Sequence, residues 1–193
     1  GRQISHSLNK IPEMLWVKRR SDTGDWIVWH KGLNGGTNSG QYYVRLNSNL
    51  GESAASYYWN NTTQNSKTFF TLGGNASVNG ENDTLMAMLF ASVNGISKVG
   101  SYTGNGSTGS SGPFITTGFS PRFIIVKRVD SNAGYAWNLH DTTRGMDNRL
   151  RIQTSAAQAT LDAFDLSSTG FRVKTDSGSY NASSGEYIYY AHA

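Results

Sequence analysis

The sequence predicts an all-β protein, an antiparallel β-sandwich of the jelly-roll kind built from two tandem repeats. Short stretches alternate between apolar and other side chains with a period of two, and Asn-Gly pairs that suit tight turns stand between them. No segment shows a sustained apolar stripe with the 3.6-residue period of a helix. The chain of 193 residues has 12% aromatic residues and no Cys. It can therefore fill a core, while disulfides, thiol catalysis and Cys-ligated metals are excluded.

The chain contains two copies of one pattern. Residues 11–19 (IPEMLWVKR) match residues 120–128 (SPRFIIVKR), and the copies close alike at residues 84–91 and 186–193. Because the matches keep their order over some 80–90 residues, we interpret them as a tandem duplication.

The duplication defines the domain organisation that we expect. Repeat one spans residues 3–91 and repeat two spans residues 100–193, which opens with the Gly/Ser-rich connecting segment 100–112. Two small sandwiches or one larger jelly roll would both fit this pattern. We predict a single domain over residues 1–193 with a shared core, because a small domain buries proportionally less of its apolar surface.

Each repeat reads as a series of short strands. Residues 14–17 and 123–126 are apolar runs of strand length, so we predict that they are buried central strands. Residues 85–91 and 187–192 alternate and predict strands with two different faces. Residues 155–161 could form one helical turn. Four Asn-Gly pairs predict positive-φ turns between antiparallel strands, at Asn34-Gly35, Asn79-Gly80, Asn94-Gly95 and Asn105-Gly106.

The residues of these strands and turns also carry a family resemblance. Its motifs lie at residues 120–130, 137–141, 100–106 and 181–190. The chain resembles, over nearly its whole length, a repeat domain of unknown function found, often in tandem, in tail-fibre and other virion proteins of marine and cyanobacterial phages. The likeness is closest in repeat two. Repeat one departs from it at residues 29–32.

The resemblance implies a concanavalin-A-like or laminin-G-like sandwich on the surface of a virion. It implies no known catalytic residues. Other virion proteins would be the partners, and the chain would form a homo-oligomer, a trimer as is usual for tail fibres.

A hydrolase would need two carboxylates placed across a sugar bond. The close acidic pair Glu81 and Asp83 lies beside an Asn-Gly turn, and Met86 stands where a second strand carboxylate would be expected. We therefore interpret the pair as a solvated turn and predict no catalytic residues. A carbohydrate-active enzyme on a jelly-roll fold, with Glu81 as the residue to test, is the alternative.

The histidines do not have the spacing of metal ligands. His6, His30, His140 and His192 form no His-x-His or His-x-x-x-His pair, so we expect surface or packing residues and no metal site. His30 and His140 fall one position apart in the repeat alignment, which predicts opposite faces. Oxygens of loop Asp and Asn residues suit calcium, but no spaced run of ligands indicates a site, so we expect no cofactor.

Basic residues form two clusters, at residues 18–20 and 127–128. Because neighbouring side chains on a strand point to opposite faces, we predict that these clusters protect exposed strand edges, and we expect no nucleic acid partner. The formal net charge of +4 is mild. The longest apolar run, residues 85–91, is too short to span a bilayer, so we expect no membrane insertion.

The aromatic residues divide into two groups. Trp26 and Trp137 recur in both repeats, so we expect them in the core. Tyr42, Tyr58 and Tyr135 have no aromatic counterpart in the other repeat, so the packing pattern does not require them. An aromatic face can stack on the apolar face of a sugar ring, and these three tyrosines are therefore the predicted glycan-binding residues.

Together with the virion setting that the resemblance implies, these observations predict a non-enzymatic structural module of a phage virion, in a tail fibre or another surface appendage, that contacts host-surface polysaccharide. The predicted location is the virion surface. A capsid or tail decoration protein with no receptor role fits the same sequence nearly as well.

Overall fold

The computed structural model describes residues 1–130 and 134–193, and it confirms an all-β fold. Its strands form several sheets in which every described pair is antiparallel, as in a β-sandwich. The chain divides into two compact units. Unit 1 contains residues 1–48 and 52–91, and unit 2 contains residues 49–51 and 92–193.

Unit 1 contains a five-stranded sheet in the order β5-β4-β3-β2-β7 and a two-stranded sheet of β1 and β6. One short helix precedes β7, and two 3-10 turns lie between β3 and β4. The bounds are β1 (Arg2–Ser5), β2 (Met14–Arg19), β3 (Trp26–His30), the 3-10 turns Leu33–Gly36 and Ser39–Gln41, β4 (Tyr42–Arg45), β5 (Ser53–Ala54), β6 (Phe69–Leu72), α1 (Ala76–Asn79) and β7 (Leu85–Phe90).

Unit 2 contains a six-stranded sheet in the order β13-β12-β11-β10-β16-β8 and a three-stranded sheet in the order β14-β15-β9. The bounds are β8 (Ser97–Thr103), the 3-10 turn Gly109–Ser111, β9 (Phe114–Thr116), β10 (Phe123–Arg128), β11 (Asn138–Asp141), β12 (Asn148–Arg151), β13 (Ala159–Thr160), β14 (Phe164–Ser167), β15 (Gly170–Val173) and β16 (Glu186–His192).

The larger sheets of the two units share one order of strands. The order β5-β4-β3-β2-β7 corresponds to β13-β12-β11-β10-β16, and unit 2 has β8 as an additional strand beside β16. The two predicted central strands are confirmed, since β2 lies between β3 and β7 and β10 lies between β11 and β16. Both predicted alternating strands are also present, as β7 and β16.

Each unit has its own buried apolar cluster between its larger and its smaller sheet. The cluster of unit 1 is Leu15, Val17, Ile27, Trp29, Tyr43, Ala55, Tyr58, Trp59, Phe70, Leu72 and Val78. The cluster of unit 2 is Ile115, Phe119, Ile124, Val126, Ala163, Phe164, Phe171, Val173, Tyr180, Tyr187, Tyr189 and Ala191. The expectation that both repeats form a single domain concerns the arrangement of the two units, and it stays a prediction.

Two expectations about local structure are wrong. Gly80 has a φ of −65° and caps α1, so Asn79-Gly80 ends a helical turn and is not a positive-φ turn. Residues 155–161 form no helix and lead into β13. Positive φ is confirmed at Asn34-Gly35, Gly95 and Gly106. Asn34-Gly35 lies in the connection between the paired strands β3 and β4, and Asn94-Gly95 lies between Val93 and Ser97, which form an antiparallel bridge.

The Gly/Ser-rich segment 100–112 is part of unit 2 and is held by Asn181. Residues 100–103 belong to β8, and the fully buried Asn181 fixes the loop that follows. The Asn105 amide donates to Asn181 Oδ1 at 2.7 Å, and Asn181 Nδ2 donates to the Ser107 carbonyl at 2.7 Å. A segment that composition marks as a connector is therefore fixed by one buried amide side chain.

The described residues contain no helix that could cross a membrane, since α1, the longest, has four residues.

Candidate functional site

A continuous row of side chains in unit 1 combines an exposed aromatic ring with charged and amide groups. We call it the tyrosine row, and it consists of Tyr57, Tyr58, Tyr43, Arg45 and Asp25. Tyr43 and Arg45 are two residues apart on β4, so their side chains lie on the same face of the sheet. Tyr57 and Tyr58 lie in the turn that follows β5.

The strand end of the tyrosine row contains the ion pair of Arg45 and Asp25. Arg45 Nη2 donates to the Tyr43 hydroxyl at 2.8 Å, and the guanidinium carbon lies 5.1 Å from the Tyr43 ring centroid. Arg45 Nε contacts Asp25 Oδ2 at 2.7 Å, and Asn47 Nδ2 donates to Asp25 Oδ1 at 2.9 Å. Asp25 and Asn47 reach solvent, so this end offers both donors and acceptors to a ligand.

The turn end of the tyrosine row presents Tyr57. Its ring lies 4.8 Å from the Tyr58 ring, which in turn lies 4.5 Å from the Tyr43 ring. Tyr57 is 52% exposed, whereas Tyr58 is 7% exposed and belongs to the buried cluster. The buried Tyr58 ring therefore supports the exposed Tyr57 ring from one side.

Glycine at position 73 fixes the turn that carries Tyr57. The Gly73 amide donates to the Tyr58 carbonyl at 2.6 Å. A Cβ at position 73 would meet the Tyr57 carbonyl oxygen and carbon within 2.5 Å, so any larger residue would displace the turn. The position of the tyrosine row is therefore set by backbone packing.

The Tyr58 hydroxyl is protonated at neutral pH. Burial is the main cause that raises the pKa of Tyr58, and the neighbouring Tyr43 and Tyr57 add to it, while Arg45 opposes the shift. A braced aromatic face next to an Arg–Asp pair can stack on the C–H face of a sugar ring while the polar groups hydrogen-bond its hydroxyls.

The structure places the three predicted glycan-binding tyrosines in different surroundings. Tyr58 is a core residue of unit 1. Tyr42 is half-buried on β4, and its carbonyl accepts a hydrogen bond from Trp59 Nε1 at 3.0 Å. Tyr135 belongs to unit 2, where the Arg128 guanidinium carbon lies 4.6 Å from its ring centroid. Glycan binding by these residues stays a prediction.

Sequence reasoning missed Tyr57, although the signal was present. In the repeat alignment Tyr58 corresponds to Ala163, so Tyr57 corresponds to Asp162 and also lacks an aromatic counterpart. Tyr58 and Ala163 are both buried in the cluster of their unit. The missing aromatic counterpart is therefore the sequence signal that Tyr57 shares with Tyr58, while its exposure is visible only in the structure.

The two tryptophans expected in the core differ. Trp137 is buried, whereas Trp26 is only half-buried, and Trp29 and Trp59 are the fully buried tryptophans of unit 1. The expectation is therefore confirmed for Trp137 and wrong for Trp26. Trp26 begins β3 at the margin of the sheet, where its amide donates to Asn47 Oδ1 at 2.9 Å.

The two members of the acidic pair considered for catalysis, Glu81 and Asp83, lie in different surroundings. Glu81 is exposed in the turn after α1. Asp83 accepts hydrogen bonds from the Ser21 hydroxyl at 2.6 Å and from Arg19 Nη1 at 3.2 Å. The Ser21 hydrogen bond is the main cause that lowers the pKa of Asp83. Asp83 thus ties the start of β7 to the end of β2, and the catalytic alternative remains a hypothesis about Glu81.

His30 and His140 lie on opposite faces of their sheets, as the repeat alignment predicts, and both are packing residues. His140 faces the cluster of unit 2, with its ring 5.0 Å from Phe164. His30 lies opposite Met14 in the register of β2 and β3, on the face away from the cluster of unit 1. Its Nδ1 accepts from the Gly32 amide at 2.9 Å.

The hydrogen bonds of His140 fix its tautomer. Nδ1 lies 2.8 Å from the Met146 carbonyl, which can only accept, so Nδ1 carries the proton. Nε2 lies 2.8 Å from the Tyr180 hydroxyl, which therefore donates to it. Burial is the main cause that lowers the pKa of His140 to about 4, and it raises the pKa of Tyr180 to about 12.

We expect His140 to stay neutral, with its proton on Nδ1, as the pH falls from 7 to about 5. Long-range ¹H–¹⁵N NMR spectra measured over this range check the tautomer, and the variant His140→Gln assigns the signal by its loss. A protonation midpoint above pH 6 would contradict the described hydrogen bonds.

The basic clusters do not protect strand edges, so that expectation is wrong. Both β2 and β10 are central strands, and Lys127 is fully buried. Its Nζ donates to the Asn49 carbonyl at 3.0 Å and to the Tyr135 carbonyl at 2.6 Å. Burial lowers the pKa of Lys127 to about 8. Arg128 contacts Asp130 at 2.7 Å. The absence of a nucleic acid partner stays a prediction.

Within residues 1–130 and 134–193, no three His, Asp or Glu side chains come together in a group that could hold a metal ion.

Comparison with known proteins gives one match. The chain matches no curated protein and no solved structure. A family model described as "Domain of unknown function (DUF7483)" matches residues 1–193. Since the match covers the whole chain, this protein belongs to that family.

Proposed function

We propose that this protein is a non-catalytic module of a phage virion, in a tail fibre or another surface appendage, and that it binds host-surface glycans through the tyrosine row. The observation that carries the glycan-binding part is the 52% exposure of Tyr57, whose ring lies against the buried ring of Tyr58, which in turn lies against Tyr43. The virion setting rests on the sequence resemblance, as do the host polysaccharide and the other virion proteins as partners.

The proposal includes a tandem duplication, which the shared strand order of the two larger sheets supports. In a duplicated scaffold one copy can diverge at a surface while the core pattern of both copies is kept. The tyrosine row fits this division, since Tyr58 and Ala163 occupy corresponding buried positions while Tyr57 stands where unit 2 has Asp162.

Oligomerisation would strengthen such a site. One sugar stacked on one aromatic ring binds weakly, and several linked copies raise the effective concentration of the second binding event to the millimolar range. The homotrimer that the resemblance implies would therefore present three tyrosine rows to a repetitive polysaccharide.

We expect Tyr57→Ala to weaken binding to a host-surface polysaccharide by at least about tenfold, because it removes the exposed stacking face. Tyr57→Phe keeps that face and should bind within about threefold of the wild type. A glycan array of bacterial O-antigens and capsular polysaccharides identifies the ligand, and isothermal titration calorimetry then gives the affinities.

Phe114→Ala is the matched control, since Phe114 is an exposed aromatic residue of unit 2. Tyr42→Ala and Tyr135→Ala test the two other predicted tyrosines in the same assay. Equal affinity of a folded Tyr57→Ala variant and the wild type would refute the tyrosine row as the site. If the wild type binds no glycan but binds other virion proteins tightly, the decoration role replaces the receptor role.

A further inference from the structure

Strand β8 completes the sheet of unit 2 by covering the outer edge of β16. It pairs along its whole length, from Thr103 opposite Glu186 to Ser97 opposite His192. The Tyr102 ring stacks on Tyr187 with centroids 4.9 Å apart, and its hydroxyl donates to the Tyr180 carbonyl at 2.7 Å. Beneath this strand Tyr187 and Ala191 are fully buried.

In unit 1 the corresponding edge is open. The register places Leu85 opposite Arg19 in β2, just as Tyr187 lies opposite Arg128 in β10. Strand β7 is the last strand of its sheet among the described residues. None of its six residues is fully buried. An apolar strand with one uncovered edge is a template for pairing with another strand.

The backbone groups of this edge point outward at three positions. The Arg20 amide donates to the Thr84 carbonyl at 2.8 Å, so Thr84 and every second residue after it face β2. Leu85, Ala87 and Leu89 therefore direct their amide and carbonyl groups away from β2. Within the described part of the chain no strand accepts them.

A cleft of about 510 Å³ lies beside this edge, within unit 1. It is lined by the side chains of Leu85, Ala87 and Leu89 together with Ile4 and Phe70. Its volume falls in the range of pockets that hold ligands, about 300–1,000 Å³. In unit 2 the aromatic ring of Tyr102 packs against the core on the corresponding side of the sheet.

The cleft also contains a polar atom that needs a partner. His6 lines the cleft, and its Nδ1 accepts a hydrogen bond from the Leu8 amide at 3.2 Å. The proton of the neutral ring is therefore on Nε2, which is buried and has no hydrogen-bond partner among the described residues. An unsatisfied buried donor of this kind leaves the wall of the cleft short of one hydrogen bond.

We propose that the outer edge of β7 binds an extended, tyrosine-bearing strand of another polypeptide, which pairs antiparallel with β7 and inserts its aromatic side chain into the cleft as Tyr102 does in unit 2. Main-chain hydrogen bonds to Leu85, Ala87 and Leu89 supply affinity, and the cleft selects the aromatic residue.

The strand that we propose to bind at β7 can carry a larger side chain at its centre than β8 does. In β8 that position is Gly100, where a Cβ would lie 2.5 Å from the Tyr189 hydroxyl. The residue of β7 that corresponds to Tyr189 is Ala87, which leaves this space open. The site therefore does not require glycine two residues before the tyrosine.

A labelled synthetic peptide with the sequence of residues 96–105, ISKVGSYTGN, tests the proposal on the full chain. We expect saturable binding by fluorescence anisotropy, and hydrogen exchange should slow at the amides of Leu85, Ala87 and Leu89. A peptide in which the tyrosine is replaced by alanine should bind at least about tenfold more weakly, since burial of an aromatic side chain is lost.

Ala87→Pro removes one outward-facing donor and leaves the groups that face β2 in place, so it should abolish binding of the peptide. Protection at β16 in place of β7, or no saturable binding by the wild type, would overturn the proposal. Self-association of the wild type that Ala87→Pro abolishes would also overturn it, because a second copy would then be the occupant. Tyr57→Ala should bind the peptide like the wild type, which separates this site from the tyrosine row.

Discussion

Replacing Trp59 by alanine is expected to destabilise unit 1 by about 3–5 kcal/mol, the usual cost of removing a large aromatic side chain from a core. Trp59 is fully buried in the cluster of unit 1, and its Nε1 donates to the Tyr42 carbonyl at 3.0 Å. The substitution leaves a large cavity and also removes the donor from that carbonyl. Urea unfolding followed by far-UV circular dichroism measures the loss.

Trp26→Ala is the matched control for this experiment. Trp26 is half-buried, and its amide donates a hydrogen bond to Asn47 Oδ1 that alanine can keep. We expect less than half of the loss seen for Trp59→Ala. Equal losses in the two variants would contradict the described burial of the Trp59 indole.

We expect Lys127 to make the free energy of unfolding rise with pH between about pH 8 and pH 10.5. Burial lowers the pKa of its amine in the folded protein from 10.5 to about 8. Between these values the unfolded chain binds a proton that the folded chain does not, so the free energy of unfolding rises with pH. Over the interval from pH 8 to pH 10.5 the contribution of Lys127 should increase by about 3 kcal/mol, at about 1.4 kcal/mol per pH unit.

Urea unfolding of the wild type and of Lys127→Met at pH 7.5, 9 and 10.5 measures this contribution. The difference between the two proteins should grow with pH in favour of the wild type, because methionine removes the titrating group but keeps the length of the side chain. Lys67→Met, at an exposed lysine, controls for the loss of one positive charge. Parallel pH profiles of the wild type and Lys127→Met would contradict a buried amine.

The strands of this protein could be predicted where side-chain pattern alone determines structure. The apolar runs of β2 and β10 and the alternation in β7 and β16 follow from burial on one or two faces of a sheet. The repeat alignment carried further information, since it pairs Trp59 with Phe164, and both residues are buried. Such pairs report positions that face the core in both units.

The remaining features depend on contacts between distant parts of the chain. Lys127 reads as a surface residue because lysine is rarely buried, and only the carbonyl groups of Asn49 and Tyr135 explain its position. The exposure of Tyr57 depends on the close approach of the Gly73 backbone to the turn that carries Tyr57. The open edge of β7 is visible only when the strand order of the two sheets is compared.

The buried Asn181 has a consequence for how the protein should be produced. Asn181-Ala182-Ser183 is an acceptor sequence for N-glycosylation, and the secretory pathway of a eukaryotic host attaches glycans before a domain has folded. A sugar on Asn181 Nδ2 would replace one of the two N–H groups that donate to the Ser107 carbonyl and to Asn105 Oδ1, and it would place a bulky polar group in a fully enclosed position. A bacterial cytoplasm, which lacks this modification, is therefore the suitable expression host, and the cysteine-free sequence needs no oxidising compartment.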